Sequence, residues 1–455
     1  VSMRPSPRAR LLLSLALCST PALAQAPAPA PPPEAPAPPR SPEGALPPGY
    51  PTSLPPAAPP APPAPAEKKP DAPLLRVYAL IKPTVVFASD GLESFSQPNA
   101  SAATAAGNPV LAAVRDEANL TFQAAQSRLG FWFDEKGPVR GQLEFDFIDF
   151  AKSSPTVAEL PRVRIAKVEW ELHDSLLLVA GQDWDLYAPI NPHGLNLVAA
   201  AFVSGNTGFM RQQAKFLFHT DSIELAAAVG LPAPNNAAKA NVPEFSRVPS
   251  FAARAAVLLG PAGRVGVSGI ANSWRFAPDL PAERRALAGA AGVFGDLTPF
   301  KPLNLRFEGY GGRNLANLGT LAIGQGSAAD DVDEVGGFVS AKVALSASHA
   351  LYGLAGTARV LNPSKVLPSY SYPTLPTDGS APAAASATLA GTGPGMRWNR
   401  TARVGYEYRH NKAVAVLAEG FWFRSRHVLN AEFDAGRFEA VRQAFGGELG
   451  LLFTM

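Results

Sequence analysis

Seven cationic side chains stand on the polar faces of segments in which polar and apolar residues alternate. They are Arg128, Arg164, Arg211, Lys215, Arg306, Arg403 and Arg409. A guanidinium group stays charged in proteins and offers several donors in one plane, so a series of such groups can replace part of the hydration shell of a small anion. Residues of this type at this spacing indicate weak contacts with small anions at several sites.

Carboxylates share the same faces and leave two interpretations of the arginines open. They are Glu144, Asp146, Glu308 and Glu407. Opposed charges across a water-filled opening would set up a transverse field that acts on solutes. The same carboxylates paired tightly with the arginines would only form salt bridges that keep a wall rigid. The sequence does not decide between these alternatives.

Residues typical of enzymes and metal sites are scattered. The six histidines are His173, His193, His219, His349, His410 and His427, and none lies in a G-x-S-x-G or H-E-x-x-H context. The acidic run at residues 330–334 could bind Ca²⁺, but such a run is more typical of a solvated loop. We therefore expect no enzyme, no cofactor and no metal.

The alternation that positions the charges has the period of β-strands. Leu143, Phe145 and Phe147 alternate with Glu144 and Asp146, for example. The predicted strands are 75–88, 119–134, 139–150, 161–173, 176–187, 209–219, 222–231, 249–259, 264–276, 284–297, 302–314, 333–345, 350–362, 396–410, 413–426 and 438–453. Strand 161–173 is irregular, which predicts either a bulge or a strand end above a membrane.

Short turns and long connections alternate strictly between these strands. A soluble sandwich has no reason to sort its loops by length, whereas a barrel in a bacterial outer membrane has tight periplasmic turns and long outer loops. No apolar run is long enough for a helical span. The pattern predicts an all-β, transmembrane, antiparallel barrel of about 16 strands, surrounded by outer-membrane lipid, with both termini in the periplasm.

The sequence predicts two segments before the barrel, a targeting segment followed by a spacer. Residues 1–24 have the basic, apolar and small-residue regions of a signal peptide. Residues 25–73 are rich in Pro and Ala and are predicted to be a disordered periplasmic linker before a barrel at 74–455. Without Arg4, Arg8 and Arg10 the formal charge falls from +3 to 0. This argues against nucleic acid as a partner.

Several stretches resemble outer-membrane porins of the DcaP-like and phosphate-selective (O and P) group. They are residues 126–131 (QSRLGF), 143–147 (LEFDF), 162–168 (RVRIAKV), 179–185 (VAGQDWD) and 205–211 (GNTGFMR). The resemblance implies a sixteen-stranded homotrimeric porin for small solutes, often anions. The last strand resembles the C-terminal strand that the barrel assembly machinery reads in such proteins.

The third long loop, residues 188–208 (loop 188–208), is predicted to fold into the lumen and narrow it, as the loop in this position does in general porins. It is too apolar to extend into water. An extra strand or a trimer contact would bury it equally well. Its candidate polar residues are Asn191, His193, Asn196 and Asn206.

The sequence thus favours passive diffusion of small hydrophilic solutes. The alternative is a non-conducting structural or adhesive barrel, whose lumen would be plugged by bulky apolar residues.

Overall fold

The computed structural model describes residues 74–89, 118–148, 161–197, 200–231, 248–276, 284–319, 323–324, 330–366, 396–428 and 441–455. The signal peptide and the linker predicted from the sequence lie outside these residues. So do most residues of the predicted long connections other than loop 188–208. None of the helices in the described part of the chain is long and apolar enough to cross a membrane.

The described residues form one antiparallel sheet of 18 strand segments. The segments are β1 (Leu75–Ile81), β2 (Thr84–Ala88), β3 (Asn119–Gln123), β4 (Arg128–Phe133), β5 (Val139–Asp146), β6 (Arg162–His173), β7 (Leu176–Trp184), β8 (Met210–His219), β9 (Ile223–Gly230), β10 (Ser250–Leu258), β11 (Gly263–Phe276), β12 (Arg284–Phe300), β13 (Leu303–Arg313), β14 (Asp333–Ala344), β15 (His349–Val360), β16 (Met396–Arg409), β17 (Val414–His427) and β18 (Val441–Thr454). Each segment from β5 to β17 pairs with its neighbours in the chain.

Two of the predicted strands are interrupted. Segments β1 and β2 both pair with β18, and β1 also pairs with β4 while β2 pairs with β3. Together β1 and β2 are one barrel strand broken at Lys82 and Pro83, and β3 and β4 are another broken at 124–127. With each broken strand counted once, the closed barrel has 16 strands, which confirms the predicted fold class and strand number.

The first and last strands close the barrel, so the sheet has no free edge. Leu80 pairs with Thr454 before the break, and Thr84 pairs with Gly450 after it. Pro83 has no N–H to donate, but its carbonyl oxygen accepts from the N–H of Leu451 at 3.1 Å. Closure matters because an unpaired backbone group cannot be left facing hydrocarbon.

The two faces of the sheet differ as a barrel in lipid requires. Leu287 in β12 and Val404 in β16 point outward and are 66% and 69% exposed, while their neighbours Ala288 and Arg403 are buried inside. Apolar side chains thus cover the outside and the charges lie within, the reverse of a soluble sandwich. The alternation predicted at Leu143–Asp146 is seen in the burial pattern of β5, and β8 and β16 alternate in the same way.

A β-bulge accounts for the irregular strand β6. Glu144 pairs with Ile165, but the next residue of β5, Phe145, pairs with Val163, so Arg164 is the extra residue. The bulge lets Arg164 and Ile165 both be buried, and the alternation then continues with exposed Val168. Of the two predicted explanations for this strand, the bulge is confirmed.

Three tyrosines bridge neighbouring strands by one repeated arrangement. Tyr78 on β1 lies over Gly130 on β4, where a Cβ would overlap the ring, and its hydroxyl donates to Glu144 at 2.9 Å. The other two sets are Tyr310 over Gly336 with Glu334 at 2.7 Å, and Tyr352 over Gly405 with Glu419 at 3.0 Å. In each set the glycine makes room for the tyrosine ring, and the carboxylate accepts a hydrogen bond from the tyrosine hydroxyl.

A buried ion pair sits at the closure of the barrel and generates the first prediction. Lys82 Nζ lies 3.2 Å from Glu448 on β18, and the two side chains are 1% and 3% exposed. Replacement by Lys82→Met should lower the free energy of unfolding by about 3–5 kcal/mol, because it leaves a buried carboxylate without its cation. Urea unfolding of the detergent-folded protein measures this.

The double variant Lys82→Met with Glu448→Leu is the control. It removes both charges and should recover most of the lost stability. Equal unfolding midpoints for the single and double variants would show that the pair does not stabilise the closure.

Candidate functional site in the barrel interior

Loop 188–208 is held against the inside of the barrel by its own backbone. Four of its N–H groups donate to side chains that point inward from the wall. The contacts are Ile190 to Glu308 (2.7 Å), His193 to Ser340 (2.9 Å), Leu195 to Glu419 (2.8 Å) and Leu197 to Gln126 (3.0 Å). The acceptors lie on β13, β14 and β17 and in the break before β4. The loop therefore runs along a large part of the inner wall and narrows the interior.

The loop packs tightly as well as being bonded. Leu195 and Ala201 are fully buried, and Leu195 lies against Ala415 and Leu417 of β17. Ala200 and Ala201 belong to a cluster that includes Phe294 and Phe338 on the wall and Ile190 on the loop itself. Packing of this kind accounts for the apolar composition of the loop.

A glycine permits the closest approach of the loop to the wall. Gly205 has φ of +115°, and a Cβ at this position would overlap the carbonyl oxygen of Gly337 on β14. The next residue, Asn206, holds the two ends of the loop together: its side-chain amide donates to the Ile190 carbonyl at 3.2 Å and its Oδ1 accepts from the Gly208 N–H at 3.0 Å.

The other polar residues predicted on the loop also lie inside the barrel. The Asn191 carbonyl accepts from the Arg306 guanidinium at 3.2 Å, and His193 Nε2 lies 2.7 Å from Oδ1 of Asn304. Because an amide oxygen only accepts, Nε2 carries the proton. Asn196 is buried.

Of the six arginines predicted on the polar faces, Arg409 is described below, and four of the other five pair with carboxylates. Arg164 pairs with Glu144 and lies 3.8 Å from Asp146, and Arg403 pairs with Glu419. The remaining two ion pairs are Arg211 with Asp185 (2.5 Å) and Arg306 with Asp296 (3.2 Å). The fifth, Arg128, donates to the Leu197 carbonyl of the loop at 3.2 Å. The structure thus brings the predicted residues Arg164, Glu144 and Asp146 into one cluster.

The remaining predicted residues divide between the wall and the loop. Lys215 pairs with Asp183 at 2.5 Å. Glu407 lies between two cations, 2.8 Å from Lys342 and 2.8 Å from Arg409. Glu308 accepts a hydrogen bond from the N–H of Ile190 in the loop, as described above.

Sequence reasoning missed several residues that hold the interior together. They are Lys82, Gln126, Asp183, Asp185, Lys342 and Glu419. Glu419 could have been found, because it is a lone carboxylate on a face of β17 that otherwise carries Leu417 and Phe421. Which acid meets which arginine depends on the register between strands, and single-strand alternation carries no information about that.

Two more connections contribute apolar residues to the end of the barrel that carries the long loops. Leu315 and Leu318, in a 3₁₀ turn after β13, are buried against Tyr187 and Ile270. Val203 of loop 188–208 packs in a cluster with Ile323, Val366 and Met396. The Arg211 guanidinium links the 3₁₀ turn to the end of β7, because it donates to the Leu318 carbonyl and also pairs with Asp185.

A cavity of about 320 Å³ lies between loop 188–208 and the parts of β13, β14 and β16 that are near short turns. Its wall includes Arg306, Lys342 and Arg409, all within a few residues of short turns, together with His193 from the loop. Burial and the charges of Arg306 and Lys342 lower the pKa of His193 to about 4, so its imidazole is neutral at neutral pH.

No cluster of metal ligands is found among the residues that the structure describes. The acidic run that could have bound Ca²⁺ is neutralised instead. Asp333 pairs with Arg313 at 2.6 Å, Asp331 lies 3.6 Å from the same arginine, and Asp330 pairs with Lys365 at 2.8 Å.

The contact between Gly205 and Gly337 generates the second prediction. Gly205→Ala should displace the loop from the wall, since alanine disfavours the left-handed φ and its Cβ has no room. We expect faster proteolytic cleavage within loop 188–208 of the folded protein. Gly420→Ala is the control, because the nearest atom to its Cβ would be 4.0 Å away. Equal rates of cleavage of the two variants would contradict close packing of Gly205 against Gly337.

The lowered pKa of His193 generates the third prediction. The pKa is about 4 in the folded protein against 6.5 for free imidazole, so the unfolded chain binds the proton more readily between these values. The stability that comes from a neutral His193 should be complete above pH 6.5 and be lost as the pH falls towards 4. Urea unfolding across this range measures the loss.

His193→Gln is the matched variant, because its amide can still donate to Asn304 but does not titrate. The part of the pH dependence that is due to His193 should be absent from it. An unchanged pH profile would mean that the imidazole is not kept neutral by its surroundings.

Comparison with known proteins places the fold. No protein-family model and no curated protein sequence matches the chain. The structure is similar to that of the outer membrane channel DcaP of Acinetobacter baumannii, with a TM-score of 0.59 and 12% identity over 84% of this chain and 97% of that one.

Two further solved structures give weaker matches. The anion-selective porin from Comamonas acidovorans has a TM-score of 0.49 and 9% identity over 84% of this chain and 99% of that one. OprB of Pseudomonas putida has a TM-score of 0.49 and 9% identity over 83% of this chain and 94% of that one. The resemblance to DcaP-like porins seen in the sequence is confirmed at the level of the fold: this chain forms a closed 16-stranded barrel like that of DcaP.

Proposed function

We propose that this protein is an outer-membrane porin through which small hydrophilic solutes, preferentially anions, diffuse passively. The observation that carries the proposal is the charged interior of a closed barrel that is apolar outside and narrowed by one loop. An interior that only had to be filled would not need so many ionised groups, since burying each costs free energy unless it is paired.

Unequal exposure of the interior charges supports the preference for anions. The side chains of Arg306 and Lys342 are 33% and 31% exposed, and that of Arg409 is 48% exposed. Glu407, the carboxylate that lines the same cavity, is only 12% exposed. A solute in the cavity would therefore meet more accessible positive than negative charge, although the chain as a whole is nearly balanced.

The arginines then fall into two groups with different tasks. Arg164, Arg211 and Arg403 are buried in tight ion pairs, so they keep the wall rigid and hold the loops. Arg306 and Arg409 remain partly open to solutes and supply the weak contacts. Conduction requires contacts of this weak kind, because a solute held tightly does not leave.

The proposed setting follows from the barrel. The exposed apolar face contacts outer-membrane lipid, the short turns face the periplasm and both termini lie on that side. The resemblance to DcaP-like porins suggests a homotrimer and recognition of the last strand, β18, by the barrel assembly machinery. We propose no enzymatic activity, no cofactor and no nucleic-acid partner. Residues 1–24 act as the signal peptide and 25–73 as a periplasmic linker.

A non-conducting barrel is the second candidate, and one observation favours it. Val203, Ile323, Val366 and Met396 meet in a buried apolar cluster on the long-loop side. If these connections stay together, the opening is closed and the protein is structural or adhesive. Conductance across a planar lipid bilayer separates the two functions, because the purified barrel either produces channels or does not.

Ion selectivity provides the fourth prediction. In a potassium chloride gradient the reversal potential should show a preference for chloride. The double variant Arg306→Gln with Arg409→Gln should shift the chloride to potassium permeability ratio towards unity, because it removes the two most accessible positive charges of the cavity.

Arg254→Gln is the matched control in the same measurement. Arg254 faces inward from β10 but is paired with Glu224 at 2.8 Å, and Glu224 would keep Arg264 at 2.9 Å. Its loss should change selectivity little. A cation-selective wild-type channel would refute the anion preference.

A further inference from the structure

The cavity below loop 188–208 has two chemically different ends. At one end lie Arg306, Lys342 and Arg409, with Glu407 between the last two. The other end adjoins it directly: Leu417, which pairs with Glu407 across the two strands, and Leu452 point inward from β17 and β18. Leu417 is buried beneath Leu195 of the loop, whereas Leu452 is only partly buried.

The cationic end keeps a surplus of positive charge. Glu407 lies 2.8 Å from both Lys342 and Arg409, so one carboxylate is shared by two cations. Arg306 is 3.2 Å from Asp296, which is itself 30% exposed. Counting these five groups, three are positive and two negative. An anion entering the cavity would supply the charge that is missing, and Arg409 is the most accessible of the three cations, at 48% exposure.

The loop side of the cavity adds no further charge at neutral pH. His193 is neutral there, and its imidazole is already engaged with Asn304 at 2.7 Å. The positive charges of Arg306 and Lys342 are among the causes that lower the pKa of His193, which fits a site of positive potential. The other loop residues that line the cavity are uncharged, among them Asn191, Asn196 and Asn206 and the apolar Leu197 and Phe202.

The apolar end has a fixed shape. Leu417 is 7% exposed and packs with Leu195, Ala415 and Leu452. Tyr352, which also lines the cavity, is held by its hydroxyl bond to Glu419 at 3.0 Å. A preformed apolar surface of this kind binds apolar groups without first having to order itself.

We propose that this cavity is a binding site for compact organic monocarboxylates, with the carboxylate among Arg306, Lys342 and Arg409 and an aromatic or branched alkyl body against Leu417 and Leu452. The inference rests on the proposed porin function and specifies the solutes that the channel retains. At about 320 Å³ the cavity is at the small end of the ~300–1,000 Å³ range of ligand sites, which favours compact molecules.

The two ends exclude other classes of solute. Inorganic phosphate or a short dicarboxylate would fill the cationic end but bring a charge or water against the leucines, which costs free energy. A neutral apolar solute would cover the leucines but leave the cations without a counter-charge. A monocarboxylate with an apolar body satisfies both ends.

The test uses benzoate as the probe and acetate as its truncated counterpart. Binding to the detergent-folded protein is measured by saturation-transfer NMR, which does not depend on conduction. Block of single-channel current is measured in parallel. We expect benzoate to bind about tenfold or more tightly than acetate, since its ring covers the apolar end.

Two variants assign the ends of the site, which is the fifth prediction. Arg409→Gln should weaken benzoate binding about tenfold, the effect of losing one charge-assisted hydrogen bond. Leu417→Asn should remove the difference between benzoate and acetate. Arg254→Gln, an inward arginine outside the cavity, should change neither.

The outcomes separate the two proposals. Equal binding of benzoate and acetate, or binding that neither Arg409→Gln nor Leu417→Asn alters, overturns the assigned site even if the protein conducts. Preferential benzoate binding in a barrel that forms no channels supports the site and refutes the porin.

Discussion

Everything in this structure depends on the requirement that no backbone N–H or C=O be left unpaired in lipid. A sheet meets it only by closing on itself, and the closing strand is the one that the chain interrupts at Lys82 and Pro83. Two of the backbone groups at the interruption find other partners. The Pro83 carbonyl accepts from Leu451, and the Lys82 N–H donates to the hydroxyl of Ser127 at 3.0 Å.

The closed barrel creates an interior that must be filled or hydrated. In this chain loop 188–208 occupies part of the interior. Its backbone N–H groups would lack partners there if side chains of the wall did not accept them. The carboxylates of Glu308 and Glu419 therefore hold the loop in place. Ion pairs neutralise most of the other charges, so the field that a solute meets is set by the few groups that remain accessible.

Much of the fold was predictable from alternation alone. Strands 333–345 and 396–410, for example, correspond to β14 and β16 within one residue at each end. A period of two survives in a barrel because lipid and lumen demand opposite side chains on every strand. The bulge at Arg164 was also visible in the sequence, since it shifts the alternation by one residue.

The interruptions and the partners of the charges were not predictable in the same way. The break at 124–127 contains neither proline nor glycine, so nothing in its composition separates it from strand. The face of Arg211 followed from its neighbours, but its contacts with Asp185 and Leu318 are made across segments far apart in the chain. Contacts of this kind depend on strand register and on how the loops return into the barrel.

The three tyrosines that lie over glycines constrain how such a barrel can diverge. Each set couples three positions on two or three strands: at Tyr352 the ring needs Gly405 beneath it and Glu419 beyond it. A relative that replaces Gly405 by a larger residue cannot keep the tyrosine in this position, and without the tyrosine the glutamate loses a donor. In a lineage of such proteins these three positions should therefore change together.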